Sequence, residues 1–467
     1  MKIKFCGAAR TVTGSSHLLT LDDGFKILMD CGLYQGHADD YDDFNKEWEF
    51  DPATLDVVIL SHAHIDHSGR LPKLVNDGFK GQIICTHATR DLCAIMLLDS
   101  AYIQERDADY ENRRAYRKGK PKVEPLYKVE DIPNAMRHFI AIDYDKPFKI
   151  REDIELRFLD AGHILGSATV NFTVDVPHRG KVNIGFTGDI GRPMRPILND
   201  PVPMIPADYL ISESTYGGRF HDHALHESER LLEIIKKTCL DNKGKLIIPS
   251  FSVGRTQEIV YILDKLESAG RLPKIPVYVD SPLAVNATEV FRAHPECFDA
   301  DLHRYLLHDP NPFGFNGLTY IRKVEESKRL NNSKEPAIII SASGMAQAGR
   351  IKHHLYNNIE NPKNTVLMVG YCAPQTIGGR LRAGKKTIRM FGEEKMVKAR
   401  VEIMDSFSAH GDHNEMLAFL DNQDRNKLKK MFLVHGDIER QKEFALALKE
   451  KGFSKIEIPV LGQVYKI

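Results

Sequence analysis

Val57-Val58-Ile59-Leu60-Ser61-His62-Ala63-His64-Ile65-Asp66-His67 runs from an unbroken apolar stretch straight into a cluster of metal-type donors. Four aliphatic residues in a row predict a buried strand, and the polar residues after them predict a loop at a sheet edge. Neutral imidazole nitrogen and carboxylate oxygen are donors that hold Zn²⁺, and a catalytic zinc site keeps one position open for water. Alternate side chains of an extended chain point the same way, so His62 and His64 can share one ion. Asp66 and His67 follow at the turn into the next helix and can face a second ion beside it. One histidine in a loop says little. Three with an aspartate, inside six residues, say much more.

Three later residues share this context of strand end and glycine-containing turn. His163 stands in Asp160-Ala161-Gly162-His163-Ile164-Leu165-Gly166-Ser167, Asp189 in Thr187-Gly188-Asp189, and His435 in Val434-His435-Gly436-Asp437. Together they complete a set that the first loop leaves short. Nitrogen and oxygen donors with a bridging carboxylate suit two zinc ions about 3.5–4 Å apart. Asp30, in Met29-Asp30-Cys31-Gly32, is placed to orient a ligand histidine through its other ring nitrogen, with turn or cap duty as the alternative.

The 467 residues have room for two or three domains. Lys plus Arg and Asp plus Glu are 64 each, so no global basic field advertises a polyanion; local clusters must meet one. Seven cysteines, dispersed and without a CxxC pair, suit a reducing compartment rather than a disulfide scaffold. No apolar stretch reaches the 18 or so residues that span a bilayer, and no signal peptide precedes the first strand-like run. A cytoplasmic protein without membrane contact is expected.

Short apolar runs at Lys2–Phe5, Phe25–Met29, Val57–Leu60, Gln82–Thr86, Ile154–Leu159, Ala168–Val174 and Val182–Phe186 predict a strand-rich first part. A long helix is expected from Ala88 to about Tyr116, leading into the basic stretch 113–122, either a solvated helix end or a phosphate-contact strip. From about residue 205 strand and helix alternate regularly, the pattern of an α/β unit with a largely parallel sheet. After about 385 the earlier character returns, which suggests an inserted domain. The expected boundaries are 1–204 and 386–467 for the split domain and 205–385 for the insertion.

Asp30, His62 to His67, His163 and Asp189 resemble the four successive motifs of the metallo-β-lactamase superfamily. Ile211-Ser212-Glu213-Ser214-Thr215-Tyr216-Gly217-Gly218-Arg219, Phe407-Ser408-Ala409-His410-Gly411-Asp412 and Leu433-Val434-His435-Gly436-Asp437 resemble the A, B and C motifs of its β-CASP branch, whose members cut RNA or DNA. The similarity covers essentially the whole chain. It implies the α/β fold class, as an αββα metallo-β-lactamase sandwich with an inserted α/β β-CASP domain. It implies two Zn²⁺ per chain, one on His62, His64 and His163, the other on Asp66, His67 and His435, with Asp189 bridging. Glu213 and His410 would pair near the leaving group and, with Asp66, make up the catalytic set. The loops Pro249–Arg255 and Ser341–Met345 resemble the branch's strand-to-helix loops, where Ser252, Arg255, Ser341, Ser343 and Gly344 would meet phosphate; ordinary turn chemistry is the alternative. No stretch resembles the amino-terminal KH-type modules or the carboxy-terminal assembly domain of some relatives, so the compact bacterial form is expected.

The reaction so implied is hydrolysis of single-stranded RNA by an activated water, with His410, held by Glu213, as proton donor. Internal cutting and 5′-to-3′ removal are both open, and a homodimer is compatible with the sequence. The rival readings are a metallo-hydrolase of DNA or of a small phosphodiester, since fold alone does not set chemistry, and a catalytically silent RNA-binding scaffold.

Overall fold

Period-two alternation builds the first half of the molecule: Ile154, Leu156 and Phe158 on one strand, Val182, Ile184 and Phe186 on another, all buried on one face. The computed structural model describes residues 1–36, 44–116, 122–221, 227–370, 372–404 and 408–467. They divide into two units, one of residues 1–220 and 410–467, the other of residues 221–409.

In the first unit the strands are β1 (Lys2–Phe5), β2 (His17–Thr20), β3 (Lys26–Met29), β4 (Val57–Ile59), β5 (Gln82–Thr86), β6 (Phe139–Ile142), β7 (Phe148–Arg151), β8 (Ile154–Asp160), β9 (Ala168–Val176), β10 (Gly180–Phe186) and β11 (Tyr209–Ser212). In the second unit they are β12 (Lys245–Pro249), β13 (Val277–Val279), β14 (Leu318–Tyr320), β15 (Ala337–Ser341), β16 (Thr365–Met368), β17 (Thr387–Met390), β18 (Glu393–Met396) and β19 (Arg400–Ile403). The first unit resumes with β20 (Lys430–Leu433), β21 (Ile456–Glu457) and β22 (Val464–Lys466).

Two seven-stranded sheets form the first unit, in the orders β22-β1-β2-β3-β4-β5-β6 and β21-β20-β11-β10-β9-β8-β7. Ile3, Phe5, Leu19, Ile27, Met29 and Ile59 of one pack in a single core with Phe158, Val170, Phe172, Ile184, Phe186, Ile211 and Phe432 of the other. Each such side chain stabilises the fold by roughly 1.5–3 kcal/mol relative to exposure. The outer face of the second sheet carries Leu210, Met431 and Leu433 against Met416 and Leu420 of helix His413–Leu420 and Phe444 and Leu448 of helix Ile438–Glu450. The 30-residue helix His87–Tyr116 packs on β5 and β6. Two facing sheets with helices outside them make the expected αββα sandwich.

The second unit is a six-stranded parallel sheet, β14-β13-β15-β12-β16-β19, with the β17–β18 hairpin beside it. Ile247, Val366 and Met368 of the sheet share a core with Ile351 and Leu355 of helix Arg350–Asn358 and with Ile388 and Met390 of the hairpin.

The boundaries fall later than expected. Tyr209–Ser212 does not open the inserted unit: it pairs in parallel with β10 (Ile184↔Tyr209) and with β20 (Tyr209↔Lys430), inside the sandwich. Arg400–Ile403 does not return to the sandwich either, because it pairs in parallel with β16 (Thr365↔Arg400). The insertion therefore spans 221–409 rather than 205–385. Strand-and-helix rhythm reports local conformation; which sheet a strand joins is a long-range fact. Of the basic stretch 113–122, the side chains of 114–116 and all of 117–121 lie outside the described residues, as do Phe407 and Tyr371. No helix among the described residues is long and apolar enough to cross a membrane.

Candidate metal centre

Every expected donor lies just past the carboxyl end of a strand of the first unit. Asp30 follows β3, His62 to His67 follow β4, His163 follows β8, Asp189 follows β10, Glu213 follows β11 and His435 follows β20. The turn before Asp189 depends on Gly188, whose φ of +55° and close approach to Ser61 (2.8 Å from a would-be Cβ to the serine Cβ) exclude a side chain. Asp30 (φ +58°) and His435 (φ +52°) hold the same left-handed region while bearing side chains. Such residues persist where their surroundings over-determine them, commonly at functional sites.

His64 Nδ1 lies 3.2 Å from both His62 Nε2 and His163 Nε2. Asp189 Oδ2 is 3.6 Å from each of those two Nε2 atoms. Beside them, His67 Nε2 is 3.0 Å from His435 Nε2, and His435 Nε2 is 3.4 Å from Asp66 Oδ2. Asp189 turns its other oxygen, Oδ1, to His67 Nε2 at 3.3 Å. Tetrahedral zinc with bonds of 2.0–2.1 Å spaces its ligand atoms about 3.3 Å apart. Both clusters have that spacing and the right donor chemistry, and one aspartate faces both. The residues fit a pair of metal ions.

Electrostatics agree with neutral nitrogen ligands in the first cluster. Burial pushes the His62 ring well below its usual range, with the His67 charge adding to it, and burial holds His64 at about 4. Burial alone would raise Asp66, but the His435 hydrogen bond and the His67 charge bring it down to about 2. His67 runs the other way: burial opposes its charge, yet Asp189 and Asp30 together hold the proton on.

Around the donors stands a buried hydrogen-bonded frame. Asp30 Oδ2 meets His67 Nδ1 at 2.7 Å and accepts from the hydroxyls of Ser61 (3.0 Å) and Ser15 (3.1 Å), while its Oδ1 accepts the Ser61 amide at 2.8 Å. Thr215 Oγ1 lies 2.9 Å from His435 Nδ1. Asp30 thus lies directly against the Nδ1 side of the His67 ring. Ser15, Ser61 and Thr215 carried no sequence signal, because a hydroxyl's role depends on what the fold puts beside it; Thr215 did sit within the quoted Glu213 stretch.

Glu213 is fully buried. Its Oε1 accepts the Ile190 amide and lies 3.5 Å from His410 Nδ1. The His410 ring is centred 4.5 Å from that of His163, with Nδ1 3.9 Å from Asp189 Oδ2. Burial disfavours its charge, but Glu213 outweighs this and the ring is pushed up to about 9. Glu213 thus favours the protonated form of the imidazole that lies beside the donor clusters. Its segment is pinned by a backbone bridge to Gly191 and by Asp412, which caps helix His413–Leu420 in a reciprocal box with Glu415.

The candidate substrate residues all belong to the second unit. Ser252 Oγ lies 3.2 Å from Ser281 Oγ past β12, and Ser343 and Gly344 follow the neighbouring β15, with Gly344 against the Phe251 ring. Two others face inward. Ser341 Oγ donates to the Asp280 carbonyl at 2.7 Å, and Arg255 is only 7% exposed with its guanidinium on Glu258.

Comparison with known proteins gives three matched family models. A metallo-β-lactamase superfamily domain matches residues 18–176, a β-CASP domain 256–381, and a Zn-dependent metallo-hydrolase RNA specificity domain 394–459. The chain is 34% identical over 440 residues to Ribonuclease TTHA0252 of Thermus thermophilus, covering 94% of each. It is 32% identical over 468 residues to an RNase J-like protein of Methanocaldococcus jannaschii, covering 100% of this chain and 99% of that one. It is 31% identical over 446 residues to the transcription termination factor FttA of Methanosarcina mazei, covering 94% of this chain and 67% of that one.

Proposed function

The chain belongs to the β-CASP branch of the metallo-β-lactamase superfamily, and on that premise we propose that it hydrolyses phosphodiester bonds of single-stranded RNA. It is a metal-dependent hydrolase by family. The carrying observation is that Asp189 offers one oxygen to each of two donor clusters, with a carboxylate-held imidazole beside them. In this reading His62, His64 and His163 would hold one zinc and Asp66, His67 and His435 a second, with Asp189 facing both clusters. When bound, zinc supplies Lewis acidity and brings the pKa of water toward neutrality.

The chain's own groups do the rest. Asp30 and Thr215 fix the ring orientations of His67 and His435. His410 holds a proton at its imidazole, with Nδ1 toward Glu213, and passes one to the departing ribose oxygen, a step typically worth 10²–10⁴-fold. Ser252, Ser343 and Gly344 line adjacent strand ends of the parallel sheet, where open α/β sheets bind ligands, and are assigned to backbone phosphates. Ser341 and Arg255 are assigned to shaping those loops.

Support for RNA comes from the RNA specificity domain match and from relatives named as ribonucleases. The test is RNA labelled at its 5′ or 3′ end, with product lengths followed in time. Wild-type protein should cut and His410→Ala should not, with zinc content retained. Cleavage by His410→Ala at near wild-type rate would refute the proton-donor role. Turnover of bis(p-nitrophenyl) phosphate or DNA without turnover of RNA would refute the substrate.

A further inference from the structure

The charge balance of the chain is locally broken in the second unit. Residues 380–400 hold eight Lys or Arg against two Glu, in a protein whose cations and anions are equal in number over the whole chain. This stretch contains the β17–β18 hairpin, and at its tip the chain places Phe391 followed by Gly392, at φ +52° and +87°. Two-residue hairpin turns with both φ positive favour Asn-Gly or Asp-Gly. A bulky aromatic in that position is an outlier. A packing requirement explains only part of it, because Phe391 remains 50% exposed.

The ring heads a small platform. It stacks on His353 (centroids 4.7 Å apart, planes at 30°) and meets Tyr356 edge-on at 5.5 Å. Lys352 Nζ lies 4.9 Å from the Phe391 centroid, and Lys395 Nζ 4.2 Å from that of Tyr356. Met396 is 54% exposed, and Arg389, Lys385, Lys386 and Lys398 are exposed nearby in the chain. Of the two acids, Glu393 is engaged by Tyr356 and lies 3.7 Å from Lys395, while Glu394 stands across the ladder from Arg389.

Exposed aromatic faces among cations are the means by which proteins hold unpaired nucleotides: bases stack on the rings, and phosphates are met by the charges. We propose that the β17–β18 hairpin, with His353 and Tyr356 beside it, is a binding surface for single-stranded RNA, distinct from the metal centre and from the Ser252 and Ser343 loops, with Phe391 as its base-stacking residue. The choice of RNA as occupant rests on the function proposed above.

Phe391→Asn tests it without endangering the fold, since Asn is a better residue for that turn. Binding of a fluorescein-labelled, uridine-rich 20-nucleotide RNA is read by anisotropy in full-length protein carrying His410→Ala, so that bound RNA stays intact. Phe391→Asn should raise Kd about tenfold with melting temperature unchanged or higher, whereas Phe391→Trp should keep Kd within about twofold. Lys395→Gln should lower the salt dependence of binding. With His410 intact, Phe391→Asn should leave hydrolysis of bis(p-nitrophenyl) phosphate at the wild-type rate. An unchanged Kd for Phe391→Asn overturns the proposal. So does a change in oligomeric mass by sedimentation, which would make the patch a contact between copies. If unsubstituted protein fails to cut RNA while Phe391→Asn still weakens RNA binding, the nuclease reading falls and this surface stands; cleavage with unmoved binding gives the reverse.

Discussion

Replacing Asp30 by Asn would take a negative charge from behind His67 while preserving shape and backbone, because Asn tolerates the φ of +58° found there. Three of its polar contacts adapt easily: the amide oxygen can keep the Ser61 amide, and the hydroxyls of Ser15 and Ser61 can turn to accept. His67 cannot adapt in this way. Its Nδ1, now 2.7 Å from a carboxylate oxygen, would face an NH₂ group and have to accept. The ring proton then moves to Nε2, the atom aimed at His435 Nε2 and Asp189 Oδ1. A protonated Nε2 has no lone pair for a metal. Loss of such an outer partner typically weakens metal binding 10- to 100-fold, or about 1.4–2.7 kcal/mol. Competition between the protein and a chromophoric zinc chelator measures it. One zinc should weaken by that factor, while the one on His62, His64 and His163 should change little. Two zincs bound at wild-type affinity would show that Asp30 does not set the His67 tautomer.

Other predictions follow from the same geometry. Asp189→Ala should abolish RNA cleavage and lower zinc per chain, measured by elemental analysis, since it withdraws an oxygen from both clusters. Chelation by EDTA should lower the unfolding midpoint; free zinc at 1,000 times its Kd contributes about 4 kcal/mol by mass action, and an unmoved thermal curve would contradict a site formed only in the folded chain. Gly191→Ala should reduce both stability and turnover, because its Cβ would fall 1.8 Å from the Gly162 carbonyl oxygen, next to His163 and opposite His410; wild-type melting and activity would contradict that. Asp264 is fully buried, accepts from the Tyr305 hydroxyl at 2.7 Å, and is pushed by burial from 3.8 up to about 6. The unfolded carboxyl ionises first, so its contribution to stability is intact below pH 4 and is lost as pH rises toward 6. Asp264→Asn should therefore stabilise the protein above pH 6, by up to about 3 kcal/mol, and not at pH 4; urea unfolding at the two pH values decides.

The sandwich strands were largely legible because their burial is written in period two: the runs expected at Gln82–Thr86, Ile154–Leu159 and Val182–Phe186 match β5, β8 and β10 to within two residues at either end. β7, Phe148-Lys149-Ile150-Arg151, was missed because four residues with two charges carry too little pattern. The residues proposed as metal donors stood out in the sequence for a chemical reason. A single histidine or aspartate at a strand end has ordinary structural uses, but several of them in this order along the chain suggest a shared metal site before any contact is known. Position in the chain determined that much by itself. What only the tertiary structure decided is membership and company: that Tyr209–Ser212 belongs to the sandwich and Arg400–Ile403 to the insertion, that Arg255 is held by Glu258, and that Ser15, Ser61 and Thr215 stand behind the histidines. These are contacts between residues tens to hundreds of positions apart. Local sequence sets backbone conformation and side-chain chemistry; burial and hydrogen-bond partnership come into being only when distant strands pair.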